Sequence, residues 1–210
     1  FLHSRCVLVI SEVCNLQGWS VRIERLVQTW GTVVVIEATS LVLDEVAVSA
    51  AVDAVEQFFF SVDQDFSTYR ENSQVSRIRR GELKIEDASE YVQQVWALCE
   101  YSREITLGAF DPWKAEGGFD PSGLVKGWAA DKCADLLVSL GIEHVQVNAA
   151  GDLALRGGFY DGVVKPWRIG VVNPDNRTEV VEVFEIFDGA IATSGTYERG
   201  AHINDPYTGL

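Results

Sequence analysis

The period of the apolar positions changes along the chain, and the changes mark out the elements. Directly after Trp30-Gly31-Thr32, the run VVVIEA is rich in β-branched residues and predicts a strand. From Asp44 to about residue 60, Val46, Ala50, Val52 and Val55 recur at helical spacing, with Asp44 placed as an N-cap. The polar, serine-rich stretch DFSTYRENSQVSRIRRG reads as a loop with a short helix. Helical spacing resumes in EDASEYVQQVWALCEYSREITLG, with a cap at Asp87 or Ser89 and Gly108 at its end, and again in the amphipathic run around Lys126, which stops at Gly141. Beyond that point the pattern alternates. HVQVNAAGDLALRG predicts a hairpin turning near Ala150-Gly151-Asp152. WRIGVV, TEVVEVFEIF and AIATSG predict further strands, separated by turns at Asn173-Pro174-Asp175-Asn176 and Asp188-Gly189. Helices fill the middle and a meander the end, which predicts an α+β fold with a mainly antiparallel sheet and packed helices rather than βαβ units.

Composition narrows the partners more than the fold. A chain of 210 residues suits one domain or two intimately packed lobes with a proper core, and is taken as one compact unit. Its formal charge of -14 leaves no basic stripe to neutralise a phosphate backbone, so neither nucleic acid nor an anionic membrane surface is the expected partner. Any anionic ligand has to meet a few placed groups. Cys6, Cys14, Cys99 and Cys133 have neither the spacing of a zinc site nor the density of a disulfide scaffold, and read as reduced structural thiols. The opening FLHSRCVLVISEVC has an apolar run too short for a membrane span and lacks the basic region and long apolar core of a signal peptide. It does not begin with Met, and HINDPYTGL stops on a turn with no closing element, so both ends are expected to be incomplete.

Candidate chemistry collects at turns. Gly123-Leu124-Val125-Lys126-Gly127 enters a helix and sets a cation beside N–H groups, which suits an anion, although neither its glycine spacing nor Trp128 fits a phosphate loop. Taken alone, Lys126 is an ordinary solvated lysine, slightly disfavoured by the helix dipole. Asp111-Pro112 and Asp120-Pro121 are ordinary turn pairs, and Ala192-Thr193-Ser194-Gly195 is a strand end with two hydroxyls. His202, one of three histidines, is either a packed side chain or a general base.

In this order the signals form one pattern. Trp30-Gly31-Thr32, FSTYRENSQVSR, GAFDP, FDPSGLVKGWAAD, VNAAGDL with Gly157, PWRIGV, AIATSG and HINDPYTG resemble the motifs of the FAD:protein FMN transferases, the ApbE-type flavin transferase family. The resemblance covers residues 28–210 and leaves residues 1–27 as an N-terminal extension of uncertain order. It implies a T-fold-like domain whose last segment is missing here. The implied enzyme binds FAD and Mg²⁺, passes the FMN phosphoryl group to a Thr or Ser hydroxyl of an acceptor flavoprotein, and releases AMP. The acceptor carries an Asp-Gly/Ser-Ala-Thr/Ser-type motif.

The same resemblance implies FAD contacts at Trp30, Tyr69, Ala109, Phe110, Asp111, Asp120, Lys126 and, through its backbone, Ile203. It gives Gly123 a carbonyl directed at the metal, a role in which side-chain identity matters little, and His202 the role of catalytic base. Lys126 becomes a phosphate or flavin anchor. The other metal ligands are expected beyond Leu210, so this segment by itself is expected to be inactive or weakly active. Two alternatives would use the same site: an FAD pyrophosphatase giving FMN and AMP, and a non-catalytic flavin-binding protein. Between Asp111 and Asp120 the chain has only PWKAEGGF, where many relatives carry a long insertion. Asp188 to Thr193 superficially resembles the acceptor motif, but Thr193 stands too far from Asp188 and reads as scaffold. With no convincing lipobox before Cys6 or Cys14, a cytoplasmic location is expected, the alternative being an exported or membrane-anchored lipoprotein as in many relatives. The oligomeric state is not legible.

Overall fold

A computed structural model describes residues 8–12, 19–173, 175, 176 and 178–193, with side chains from residue 19 onward. In chain order the elements are β1 (Leu8–Glu12), β2 (Val21–Thr29), β3 (Thr32–Ser40), α1 (Glu45–Phe66), α2 (Gln74–Arg79), a short 3₁₀ turn (Ile85–Asp87), α3 (Glu90–Ile105) and α4 (Ser122–Ser139). They continue with β4 (His144–Ala149), β5 (Asp152–Arg156), β6 (Phe159–Tyr160), β7 (Val164–Lys165), β8 (Trp167–Val172), β9 (Val180–Ile186) and β10 (Gly189–Ile191). The α+β architecture is the expected one. The described chain divides into two units, 8–58 with 130–193 and 59–129. The boundary expected between residues 27 and 28 falls inside β2.

The first unit is built on an antiparallel sheet of order β1-β2-β3-β4-β5-β10. Thr29 pairs with Thr32, so Trp30-Gly31 is a two-residue loop with both φ angles positive, 54° and 69°, the signature of a type I′ turn. Ala150-Gly151, with φ of 56° and 98°, closes β4 onto β5 in the same way, where the alternating pattern predicted it. One sheet face carries the fully buried Ile23, Val27, Val34, Ile36, Ala38, Val145 and Val147. Two arginines interrupt that apolar face. Arg25 ion-pairs with Glu56 and, at 2.8 Å, with Asp53 on α1, while Arg156 reaches Asp131 at 2.6 Å and Asp135 at 2.8 Å on α4. Each guanidinium thus takes a carboxylate pair one helical turn apart.

The opposite face buries Glu37, Thr39 and His144. Glu37 meets Arg22 at 2.7 Å, and the Arg22 guanidinium lies over the Phe159 ring at 5.0 Å. His144 Nδ1 sits 2.7 Å and 3.0 Å from the carbonyls of Gly157 and Gly158, two acceptors that fix the ring proton on Nδ1. Its ring stacks on Tyr160 in the β6–β7 hairpin, whose two-residue strands the sequence pattern did not reveal. β8 and β9 form a separate two-stranded ribbon.

Asp44 caps α1 as expected, its Oδ1 accepting the Ala47 N–H at 2.9 Å. The helix continues six residues past the expected end because Phe59, Val62 and Phe66 extend its buried stripe. Those residues begin the second unit, which is strongly aromatic. Trp128 meets Phe66 and Tyr91 at centroid distances of 5.6 Å, and Trp96, Trp113 and Phe119 form a three-ring cluster. Cys99, also in this unit, is buried and its thiol is pushed up to about 12 by desolvation. Cys133 of the first unit is buried and shifted in the same direction, so both behave as the structural thiols expected. No described helix is long and apolar enough to cross a membrane.

Candidate functional site

The second unit gathers six of the expected site residues around two turns. The first turn follows α3. Leu107 and Gly108, with φ of 53° and 82°, end the helix in left-handed conformations, and Gly108 N–H donates to the Arg103 carbonyl at 2.9 Å. Thr106 then holds the returning chain: its carbonyl accepts from Ala109 N–H at 3.0 Å and its hydroxyl oxygen from Phe110 N–H at 3.1 Å. Asp111 follows with only 7% of its side chain exposed. Its Oδ1 accepts from Trp113 N–H at 3.1 Å, and its Oδ2 lies 3.2 Å from Arg103 Nε and 3.9 Å from Lys114 Nζ. Both carboxylate oxygens are therefore occupied by the chain itself.

The short segment PWKAEGGF closes from Asp111 to Asp120 without slack. Asp120 N–H donates to the Pro112 carbonyl at 2.8 Å, and Arg79 grips the loop tip through the carbonyls of Glu116 and, at 2.9 Å, Gly117. Asp120 Oδ1 in turn accepts from Ser122 N–H at 2.9 Å at the start of α4. The Pro121 carbonyl accepts from Leu124 and Val125 at 2.8 Å and 3.0 Å. Three first-turn N–H groups are thus satisfied internally, which corrects the expectation that this helix start offers them to an anion. The cation remains in place: Lys126 is half-buried, one turn into α4.

The two turns meet at Gly123. A Cβ built there would lie 3.2 Å from Cε2 of Phe110, so the absence of a side chain at 123 lets the Phe110 ring lie against the first turn of α4. A side chain at 123 would therefore press on the Phe110 ring. Ala109 is exposed, and Tyr69, between α1 and α2, is 97% exposed. Trp30 stands at the β2–β3 hairpin tip of the first unit, half-buried. His202 and Ile203 lie outside the described residues. An open cleft of about 650 Å³ beside Asp111 is lined by Arg103 and Lys114 together with Glu100 and Glu104.

Magnesium prefers near-octahedral oxygen ligation. Among the described residues no group of three or more His, Cys, Asp or Glu comes together to hold a metal ion. The Gly123 carbonyl alone does not make such a site. The described residues place an aromatic ring, a carboxylate at a helix start and a half-buried cation on two adjoining turns.

A family model described as ApbE family matches residues 113–210, a span that starts just after Asp111-Pro112 and includes Asp120, Gly123, Lys126 and His202. Residues 113–210, a little under half of the chain, are thus similar to the ApbE family. The FAD:protein FMN transferase of Vibrio cholerae serotype O1 is 43% identical over 99 residues, which is 43% of this chain and 29% of that protein. The FAD:protein FMN transferase of Klebsiella pneumoniae is 35% identical over 99 residues, 43% of this chain and 28% of its own length. The matched stretch is therefore less than a third of the curated relatives' length. Structural similarity reaches further. The flavin transferase ApbE from Vibrio cholerae superposes with a TM-score of 0.75 at 26% identity, over 90% of this chain and 78% of that one. The ApbE protein from Thermotoga maritima gives a TM-score of 0.74 at 24% identity over the same shares, a likeness of fold. The ApbE fold thus extends well upstream of the ApbE-matching sequence.

Sequence reasoning missed Arg103, Lys114 and Arg79. Arg103 carries a weak signal, a basic residue in the last turn of a helix, where the dipole favours it. Nothing in the sequence says that it turns towards Asp111.

Proposed function

We propose that the protein transfers FMN from FAD to a Thr or Ser hydroxyl of an acceptor flavoprotein. The hydroxyl oxygen attacks the phosphorus on the FMN side of the pyrophosphate, the bridging P–O bond breaks, and AMP leaves with the bridging oxygen. The hydroxyl proton passes to His202 as general base. Lys126 balances phosphate charge, Asp120 accepts hydrogen bonds from donor groups of the flavin moiety, and Tyr69, Ala109 and Phe110, with the backbone of Ile203, give the ring an apolar and aromatic setting. Magnesium dependence, with the Gly123 carbonyl as one ligand, belongs to the same reading.

The observation that carries it is the close approach of the Phe110 ring to the Gly123 backbone. Two stretches resembling flavin transferase motifs, separated by a loop of eight residues, meet in space with their aromatic, acidic and cationic groups on adjoining turns. The test supplies FAD, Mg²⁺ and an acceptor protein with an Asp-Gly/Ser-Ala-Thr/Ser-type motif, and follows AMP by chromatography and the acceptor by mass spectrometry. AMP and FMN-modified acceptor in equal amounts, lost with EDTA and with His202→Ala, support the transfer. Free FMN with AMP and an unmodified acceptor would establish a pyrophosphatase instead. FAD bound but uncleaved would mean a flavin-binding protein.

A further inference from the structure

We infer that Arg103 is a positioning residue for flavin binding, acting through the Asp111 carboxylate to hold the run Ala109–Asp111 in its binding conformation. The inference rests on the proposed flavin site. Arg103 lies in the last turn of α3, eight residues before Asp111, and the left-handed pair Leu107-Gly108 bends the chain back so that Arg103 Nε comes to 3.2 Å from Asp111 Oδ2. The Arg103 guanidinium also sits 5.7 Å from the centre of the Trp113 ring, while the Trp113 N–H donates to the other oxygen of Asp111. Trp113 is itself edge-on to Trp96 at 5.1 Å and packed on Phe119 at 5.4 Å. The arginine thus bridges a carboxylate and an aromatic ring that belong to one turn, and the ring is clamped by the unit's aromatic cluster.

This arrangement assigns different work to neighbouring residues. An acid with 7% of its side chain exposed and both oxygens engaged orients backbone better than it meets a ligand. Phe110 and the exposed Ala109 precede it directly and are the groups that face a flavin. Lys114, at 3.9 Å from the same oxygen, adds charge without the guanidinium's fork or flat face, so it does not replace Arg103.

A double-mutant cycle in the full chain tests this, with FAD affinity read by quenching of flavin fluorescence and folding by thermal melting. Arg103→Gln and Asp111→Asn are each expected to weaken FAD binding about tenfold, and the double variant no further, because both remove the same link. Arg103→Lys is expected to recover part of the loss, whereas Glu104→Gln, on the same helix end, leaves affinity unchanged. Melting temperatures of Arg103→Gln and Arg103→Lys should agree closely, separating positioning from general stability. Losses that simply multiply in the double variant would overturn the inference, since Arg103 would then act independently of Asp111. An Asp111→Asn variant that weakens binding while Arg103→Gln is silent would overturn it too, leaving the flavin site standing. Undiminished FAD binding by Asp111→Asn would overturn this inference and leave Ala109 and Phe110 as the flavin contacts of the run.

Discussion

Phe110 Cε2 lies 3.2 Å from where a Cβ at Gly123 would stand, so the ring would have to give by a few tenths of an ångström to admit one. Gly123→Ala has opposing effects on stability. Alanine favours the helix by about 1 kcal/mol over glycine, and the displaced ring costs about as much. The expected outcome is unfolding stability unchanged to within about 1 kcal/mol in urea titration. FAD affinity, by fluorescence titration, is expected to fall several-fold because the ring has moved.

Trp30 adopts a left-handed conformation that a large side chain resists. Type I′ turns favour Asn before Gly. Trp30→Asn is therefore expected to raise stability by about 1 kcal/mol in urea titration and to weaken FAD binding. A variant that gains stability and keeps full affinity would remove Trp30 from the flavin site.

Arg25 and Glu56 are both buried, with side chains 8% and 9% exposed. Removing only the cation strands the acid. Arg25→Met is expected to cost about 3–5 kcal/mol, and Arg25→Met with Glu56→Leu to recover most of it, since an apolar pair needs no charge compensation. Chemical denaturation of the two variants measures the difference.

Burial raises the pKa of Glu37 above its ordinary value, with Arg22 opposing the shift and Glu24 adding to it. The sign follows from linkage: between the unfolded pKa and the raised folded pKa the native state holds the extra proton, so this residue makes stability fall as pH rises through that window. Glu37→Gln is expected to flatten that part of the stability curve and to leave the protein at least as stable at neutral pH. Thermal melts across a pH series read both effects.

Where one local signal decided an element, the sequence was legible. Asp44 marked the start of α1, and the Ala150-Gly151 pair closed the hairpin that alternation predicted. β2 escaped because Arg25 and Thr29 stand at core positions of the strand, so its buried face does not read as apolar. The tail of α1 escaped because Asp63 and Asp65 make it look like a polar loop, although Phe59, Val62 and Phe66 stay on the buried stripe. For the site, the motifs named Phe110 and Gly123 separately. Their close approach, and the turning of Arg103 towards Asp111, depend on a chain reversal set by the left-handed Leu107, a residue type that gives no hint of it.

The hairpin of β2 and β3 ties these features to one another through register. Pairing Thr29 with Thr32 puts Trp30 at the corner, and by the same count sets Arg25 opposite Ile36 on the face that meets the α1 carboxylates. A slip of one residue would turn Arg25 to the other face and leave Glu56 buried without its cation, while drawing Trp30 out of the corner. The ion pair under the sheet is therefore also a proofreader for the hairpin tip: a misregistered strand cannot keep its charge satisfied and still display the indole.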